Sequence, residues 1–184
     1  MTTIHLAHTV PVNPPGATPV LTEAQVFAGF QRKVRNPQEF VPAIEKSEVL
    51  SDANGVCKRK VTFKAARAVA GHPTEVIEIC TEHAPHRVDY ELDNGSTVLN
   101  IISTGSSGDP SDLYVTYAFA WKHPATLAPG SAEYQEAEAS HKKVTIPTHI
   151  IIIFQLIANG QVAKLAVESS IATTRRLVTE GQIQ

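Results

Sequence analysis

Leu113-Tyr114-Val115-Thr116-Tyr117-Ala118-Phe119-Ala120-Trp121-Lys122-His123-Pro124 alternates bulky apolar residues with smaller or polar ones until proline ends the run. Leu113, Val115, Tyr117, Phe119, Trp121 and His123 fall on one face, and Tyr114, Thr116, Ala118 and Ala120 on the other, as in a strand with one buried side. Moving upstream, five shorter runs share this character: Ser96 to Thr104, Arg87 to Leu92, Glu75 to Glu82, Cys57 to Ala65 and Glu48 to Leu50. The intervening Gly105 to Asp112, Asp93-Asn94-Gly95 and Asp52-Ala53-Asn54-Gly55 are natural turns, because Asn and Gly tolerate positive φ.

The N-terminal segment Ile4 to Val12 reads as a seventh strand, stopped by Asn13-Pro14-Pro15-Gly16. Thr22 then caps a helix in which Val26, Phe27, Phe30 and Val34 recur at helical spacing until Asn36-Pro37. Phe40, Val41 and Ile44 form a short apolar turn around Pro42. Downstream of His123-Pro124 the pattern becomes helical, from Ser131 to a C-terminal stop at Glu180-Gly181. Strand, helix, six strands and long helix predict an α+β fold in which a curved seven-stranded antiparallel sheet is covered by the C-terminal helix. Six Phe, four Tyr and one Trp are few for filling the concave face of such a sheet, so an internal hydrophobic cavity is expected.

A chain of 184 residues, 42% apolar and 18% charged, suits a single domain spanning 1–184. The net charge of −2 gives no basic face for nucleic acid. The most apolar run, Ile150 to Ala158, is about half the ~20 residues of a membrane helix, and Met1 to His5 lacks a signal peptide's basic flank, so a cytoplasmic protein without membrane insertion is expected. Two cysteines, Cys57 and Cys80, are too few for a disulfide framework. Nucleophile elbows, phosphate loops and dinucleotide fingerprints are missing, and no cofactor is expected.

Leu6 to Asn13, Gln25-Val26-Phe27, Phe40-Val41-Pro42-Ala43-Ile44, Gly95 to Ser103 and Leu113 to Pro124 together resemble the AtaL-like branch of the SRPBCC superfamily. That superfamily has the helix-grip fold shared with START domains, Bet v 1 and aromatic polyketide cyclases. The resemblance covers nearly the whole chain and implies the helix-grip fold with a deep hydrophobic cavity for an organic ligand. It carries over no catalytic residue. Members usually end in one long helix, whereas here Val144 to Gln161 interrupts it with Pro147 and the run Ile150 to Ile153. Removing those 18 residues restores a continuous amphipathic helix in phase, since 18 residues make a whole number of turns. The segment starts with a codon beginning GT, can end in CAG, and can encode a branch-like GCTAAC at Ala158-Asn159. It is either a retained in-frame intron or a genuine insertion.

Chemistry must then come from the cavity wall. Tyr117, Phe119 and Trp121 offer stacking area and polar handles for a flat polycyclic ligand, or they are ordinary core residues. If Cys57 to Ala65 pairs with Glu75 to Glu82 at a residue sum near 137, Arg59 faces Glu78 and Cys57 faces Cys80, on one face with Val61, Phe63 and Val76. In a cavity Arg59 would hold an enolate while Glu78 acts as a base; one register step away, or facing solvent, the pair is a weak salt bridge. The two cysteines are a redox pair or two buried thiols. Asn100, in phase with Val98 and Ile102, is a buried amide that serves a ligand carbonyl or a neighbouring strand. His8 and His123 sit at strand positions suited to acid–base work at neutral pH. His83 and His86 flank Pro85 in a loop without a second ligand pair, so no metal site is expected.

The residues therefore point to a monomer or homodimer that binds a hydrophobic, polyketide-like or aromatic small molecule and assists a cofactor-free cyclisation, isomerisation or dehydration in secondary metabolism. The alternative is a carrier or sensor of a lipid- or hormone-like ligand. A third reading, an interaction module, requires a filled core.

Overall fold

The computed structural model describes residues 2–64, 74–123, 128–142 and 162–184. Seven strands form one antiparallel sheet in the order β1-β7-β6-β5-β4-β3-β2. They are β1 (Thr2–Pro11), β2 (Ile44–Ala53), β3 (Val56–Phe63), β4 (Glu75–His83), β5 (Arg87–Leu92), β6 (Thr97–Thr104) and β7 (Leu113–His123). The helices are α1 (Glu23–Arg35), α2 (Ala132–Lys142) and α3 (Val162–Thr179), with a 3-10 turn at Pro37–Glu39. The expected α+β arrangement, seven strands with a C-terminal helix, is present. The interruption expected at 144–161 lies outside the described residues.

Local chemistry accounts for each boundary that positions the interior. Thr22 opens α1 with a reciprocal capping box, its hydroxyl accepting from Gln25 N while Gln25 Oε1 accepts from Thr22 N. Ser131 Oγ accepts from Tyr134 N at the start of α2. Gly181, at φ +69°, takes the left-handed conformation that stops α3, and Gln182 N donates back to Leu177 O.

β2 is longer than the expected Glu48 to Leu50. It is an edge strand, mostly exposed, and its register with β3 slips between Ile44 and Lys46 and again between Val49 and Ser51. A strand that buries neither face and carries two bulges has no period-two signature to read.

β3 and β4 pair with Arg59 opposite Glu78 and Cys57 opposite Cys80, the register expected from the residue sum. The buried face of the sheet continues through Tyr90, Asn100, Ile102, Val115 and Tyr117. α1 covers it with Val26, Phe27, Phe30 and Val34, and α3 adds Val167 and Ile171. The helices meet where Gly29 faces Thr174: a Cβ on Gly29 would meet the Thr174 side chain at a distance that contact forbids. Glycine there lets α1 and α3 share one face of the sheet.

Candidate functional site

Two buried cations stand side by side on this face. Arg59, from β3, is 3% exposed and Lys33, from α1, 8%. Arg59 Nε and Nη2 both donate to Glu78 Oε2, at 2.7 and 2.5 Å. Its Nη1 donates to the carbonyls of Lys33 and Val34 at 2.7 and 2.6 Å, so the guanidinium binds the end of α1 to the sheet. Burial works most strongly against the Arg59 charge, but Glu78, Cys80 and Tyr90 together offset it and leave its pKa above the ordinary value. Arg59 and Glu78 are thus buried and engaged with each other and with backbone.

Lys33 has different company. Its Nζ donates to Tyr117 Oη at 3.1 Å and lies 4.3 Å from the Tyr117 ring centroid and 5.7 Å from that of Tyr90. Among the described residues it has no ion-pair partner within 4.0 Å. Burial first, and the neighbouring Arg59 charge second, pull its amine down from 10.5 to about 7, with Glu78 and Cys80 acting weakly the other way. The sequence reading passed over Lys33, although it falls three residues after Phe30 and seven after Val26, in phase with the buried stripe of α1.

The third feature is a set of buried polar atoms without partners. Among the described residues, Tyr90 Oη and both amide atoms of Asn100 make no hydrogen bond. Asn100 lies in register between Val88 of β5 and Tyr117 of β7. Tyr90 neighbours Cys80 and Val98, and its ring also faces the Arg59 guanidinium at 5.3 Å. Burial pushes the Tyr90 phenol well up against the opposing effect of Arg59, and pushes that of Tyr117 up against Ser170. Both hydroxyls therefore remain protonated donors at neutral pH.

Around this polar patch run aromatic rings. Tyr117 is tilted against Phe30 at 6.2 Å and edge-on to Phe119 at 6.4 Å, and Phe119 stacks on Trp121 at 5.7 Å and 15°. Phe119, Trp121, Val98 and Phe63 are half-buried, unlike Tyr117 and Asn100. His8 stands opposite Tyr117 across the β1–β7 pair, half-buried, in a groove of about 410 Å³ between β1 and α3 that Lys164, Ile171 and Arg175 also line. His123 is at the far end of β7, paired with Thr2. The structure thus brings Arg59, Glu78, Asn100 and Tyr117 into one interior region with Lys33 and Tyr90, while His8 and His123 occupy its margins.

Cys57 and Cys80 are free thiols; burial pushes both up, Cys80 to about 12. In that state neither is a nucleophile. His83 Nε2 lies 3.2 Å from Asp89 Oδ2 and His86 Nδ1 2.9 Å from Glu23 Oε1, so the two loop histidines point to separate carboxylates.

A sheet that grips α3 over a partly polar interior defines the helix-grip class of α+β protein. Within it, the chain belongs to the AtaL family, described as acetylaranotin biosynthesis cluster protein L, whose family model matches residues 6–151. No curated protein sequence matches the chain. Among solved structures it is similar to the ZhuI aromatase/cyclase from Streptomyces sp. R1128, at 15% identity and a TM-score of 0.56 over 96% of both chains. It also resembles the di-domain ARO/CYC StfQ of the steffimycin biosynthetic pathway, at 7% identity and a TM-score of 0.58 over 91% of this chain and 51% of that one. TTHA0849 from Thermus thermophilus matches at 10% identity and a TM-score of 0.52 over 98% of this chain and 99% of that one. At such identities the likeness is one of fold. Among the described residues, no helix is long and apolar enough to cross a membrane.

Proposed function

We propose that the protein binds a hydrophobic, polyketide-like carbonyl compound against the inner face of the sheet and promotes its cofactor-free cyclisation, with accompanying isomerisation or dehydration. The observation that carries this reading is that, among the described residues, the Asn100 amide and Tyr90 hydroxyl are buried without partners, in an interior they share with two cations and a run of aromatic rings. Buried polar atoms left alone cost roughly 1–3 kcal/mol each, and a ligand that offers carbonyls and hydroxyls at that point removes the penalty. The family's link to a biosynthesis cluster and the aromatase/cyclases among its structural neighbours support the same class of chemistry.

In this mechanism Phe119 and Trp121 stack on the planar part of the substrate, with Val98 and Phe63 completing the apolar wall. Asn100 Nδ2 and Tyr90 Oη donate to substrate carbonyl oxygens, and the positive side of the patch, Lys33 and Arg59, favours the enolate as it forms. Enclosure holds the chain in a folded conformation in which its reacting carbons meet. Glu78 acts by fixing Arg59, and His8 and His123 exchange protons at the margins, His8 beside the groove that offers a way in. No metal or cofactor is invoked, and the protein works in the cytoplasm as a monomer or homodimer.

The decisive experiment supplies a linear hydrophobic poly-β-ketone and follows ring formation by liquid chromatography and mass spectrometry. Faster ring closure than in buffer, reduced in Asn100→Leu, is expected. Tight binding without turnover would make the protein a carrier instead, and neither binding nor turnover would overturn the reading. Whether 144–161 is an insertion within one domain or a translated intron is decided by sequencing the mature transcript.

A further inference from the structure

Lys33 is the group that the mechanism above uses least fully. An ammonium in the core ordinarily has a carboxylate beside it, yet the nearby carboxylate, Glu78, is already taken by two nitrogens of Arg59. Among the described residues, what remains to Lys33 is one hydrogen bond to a phenol and the faces of two aromatic rings. The unpartnered Asn100 amide is next to that phenol in the β6–β7 register. An amine beside another cation, in an apolar setting, with spare polar groups within reach, is the environment in which lysine serves as a nucleophile toward carbonyls.

We propose that Lys33 is a catalytic amine that condenses with a ketone of the substrate to form a Schiff base. This rests on the reading of the inner face as the site of a hydrophobic carbonyl compound, and it narrows the substrate to one with a free ketone and a second carbonyl placed for ring closure.

The Nζ lone pair adds to the ketone carbon, and the carbonyl oxygen takes a proton from the nitrogen. The carbinolamine then expels hydroxide, hydrogen-bonded by Tyr117 Oη, to give an iminium ion. That hydroxide removes the α-proton and becomes water, leaving a neutral enamine. The enamine carbon attacks the second carbonyl, forming the new C–C bond and an alkoxide, which takes a proton from the same water. The hydroxide so regenerated adds to the iminium carbon, and collapse returns ketone and amine. No atom is gained or lost and no oxidant is consumed.

Geometry sets the order of these roles. Tyr117 is held beside Nζ by the aromatic file, and Arg59 anchors the Lys33 carbonyl, so the amine cannot swing out to solvent with its backbone. The charged and titratable groups facing it are Arg59 of β3, Glu78 and Cys80 of β4, Tyr90 of β5 and Tyr117 of β7. Their balance, with burial, leaves about half of the Lys33 amines neutral near pH 7. An ordinary surface lysine is neutral about a thousandfold less often at that pH.

The test uses the full chain with benzoylacetone, a hydrophobic 1,3-diketone. Trp121 fluorescence reads binding; cyanoborohydride reduction followed by digestion and mass spectrometry reads the adduct and its position. One label per chain at Lys33 is expected, forming about 100-fold faster than at Lys58 or Lys60 at pH 7. Its rate should reach half its maximum near pH 7, where the amine is half neutral. The label should be lost in Lys33→Arg and Lys33→Met, with unchanged circular dichroism showing that the variants fold. Binding without a Lys33 adduct overturns the Schiff base while leaving the proposed function standing, and so does labelling spread evenly over the lysines. Absence of both binding and adduct overturns the two together. The site of labelling in the wild-type chain decides the matter even if a variant fails to fold.

Discussion

Arg59 and Lys33 are neighbours in the same core, and their surroundings differ in one respect: among the described residues, Arg59 has a carboxylate partner and Lys33 has none. The guanidinium spends its donors on Glu78 and on two carbonyls of α1, whereas the amine meets a phenol and two ring faces. Burial is the largest influence on both. In Arg59 the adjacent carboxylate, together with Cys80 and Tyr90, offsets it, and in Lys33 the adjacent guanidinium adds to it. The first cation is therefore part of the architecture, and the second is poised to lose its proton. A buried charge with its counter-ion holds elements together; a buried charge without one is chemical potential kept at a fixed point.

The strongest way to break this contrast is Arg59→Met. It leaves Glu78 buried without a counter-ion and takes a donor from the Lys33 and Val34 carbonyls, at a cost of about 3–5 kcal/mol. Urea unfolding would show it as a lower midpoint at unchanged slope. Replacing both partners, Arg59→Met with Glu78→Leu, should recover most of that loss. If the double variant is folded yet inactive on the poly-β-ketone, the Arg59–Glu78 pair serves the chemistry as well as the architecture.

Gly29→Ala disturbs both cations at once, because a Cβ there pushes α1 away from Thr174. Overpacking of this kind costs about 1–3 kcal/mol. Since the displaced helix admits water beside Lys33, adduct formation should also shift to higher pH. A variant as stable as the wild type would show that α1 and α3 have room to separate.

Lys33→Met sharpens the comparison through its pH dependence. The folded amine releases its proton near 7 and the unfolded one near 10.5, so between those values the unfolded chain holds more protons and stability rises with pH. Below that window both states are charged and the burial cost stands in full. Cys80 and Tyr90, both pushed upward, act in the opposite direction only from their own ordinary ranges. Thermal melting between about pH 6 and 8.5 should therefore show the wild type gaining Tm with pH and Lys33→Met nearly flat, with the larger advantage to the variant at pH 6. Parallel curves would mean that Lys33 is solvated.

The contrast also explains what could be read from the chain alone. The Arg59–Glu78 pairing was legible because opposite charges sat at a constant residue sum among apolar neighbours, and β3 and β4 kept that register. β7 and β6 were legible because each buries one face and so alternates. Lys33 was not, since residue type argued for solvent while helical phase argued for the core, and phase prevailed. The tight contact of Gly29 with Thr174 was equally hidden: small and polar residues mark a close helix crossing only once the two helices are known to meet. Only the middle of β2, Glu48 to Leu50, was legible, because its bulges destroy the period that identifies a strand.

The smallest effect belongs to Asn100, and its smallness is informative. Removing a buried polar group that has partners orphans them, as with Arg59; removing one that has none orphans nothing. Asn100→Leu keeps the volume while discarding two unsatisfied atoms, so stability should stay level or rise by about 1 kcal/mol. Affinity for benzoylacetone, read by Trp121 fluorescence, should meanwhile fall about five- to tenfold, the worth of one hydrogen bond. Stability and binding would then move in opposite directions from a single substitution, as expected where an interior residue exists for a ligand. A loss of more than about 2 kcal/mol in urea unfolding would instead mean that the amide serves the sheet, and the carbonyl-binding role assigned to the inner face would lose its main support.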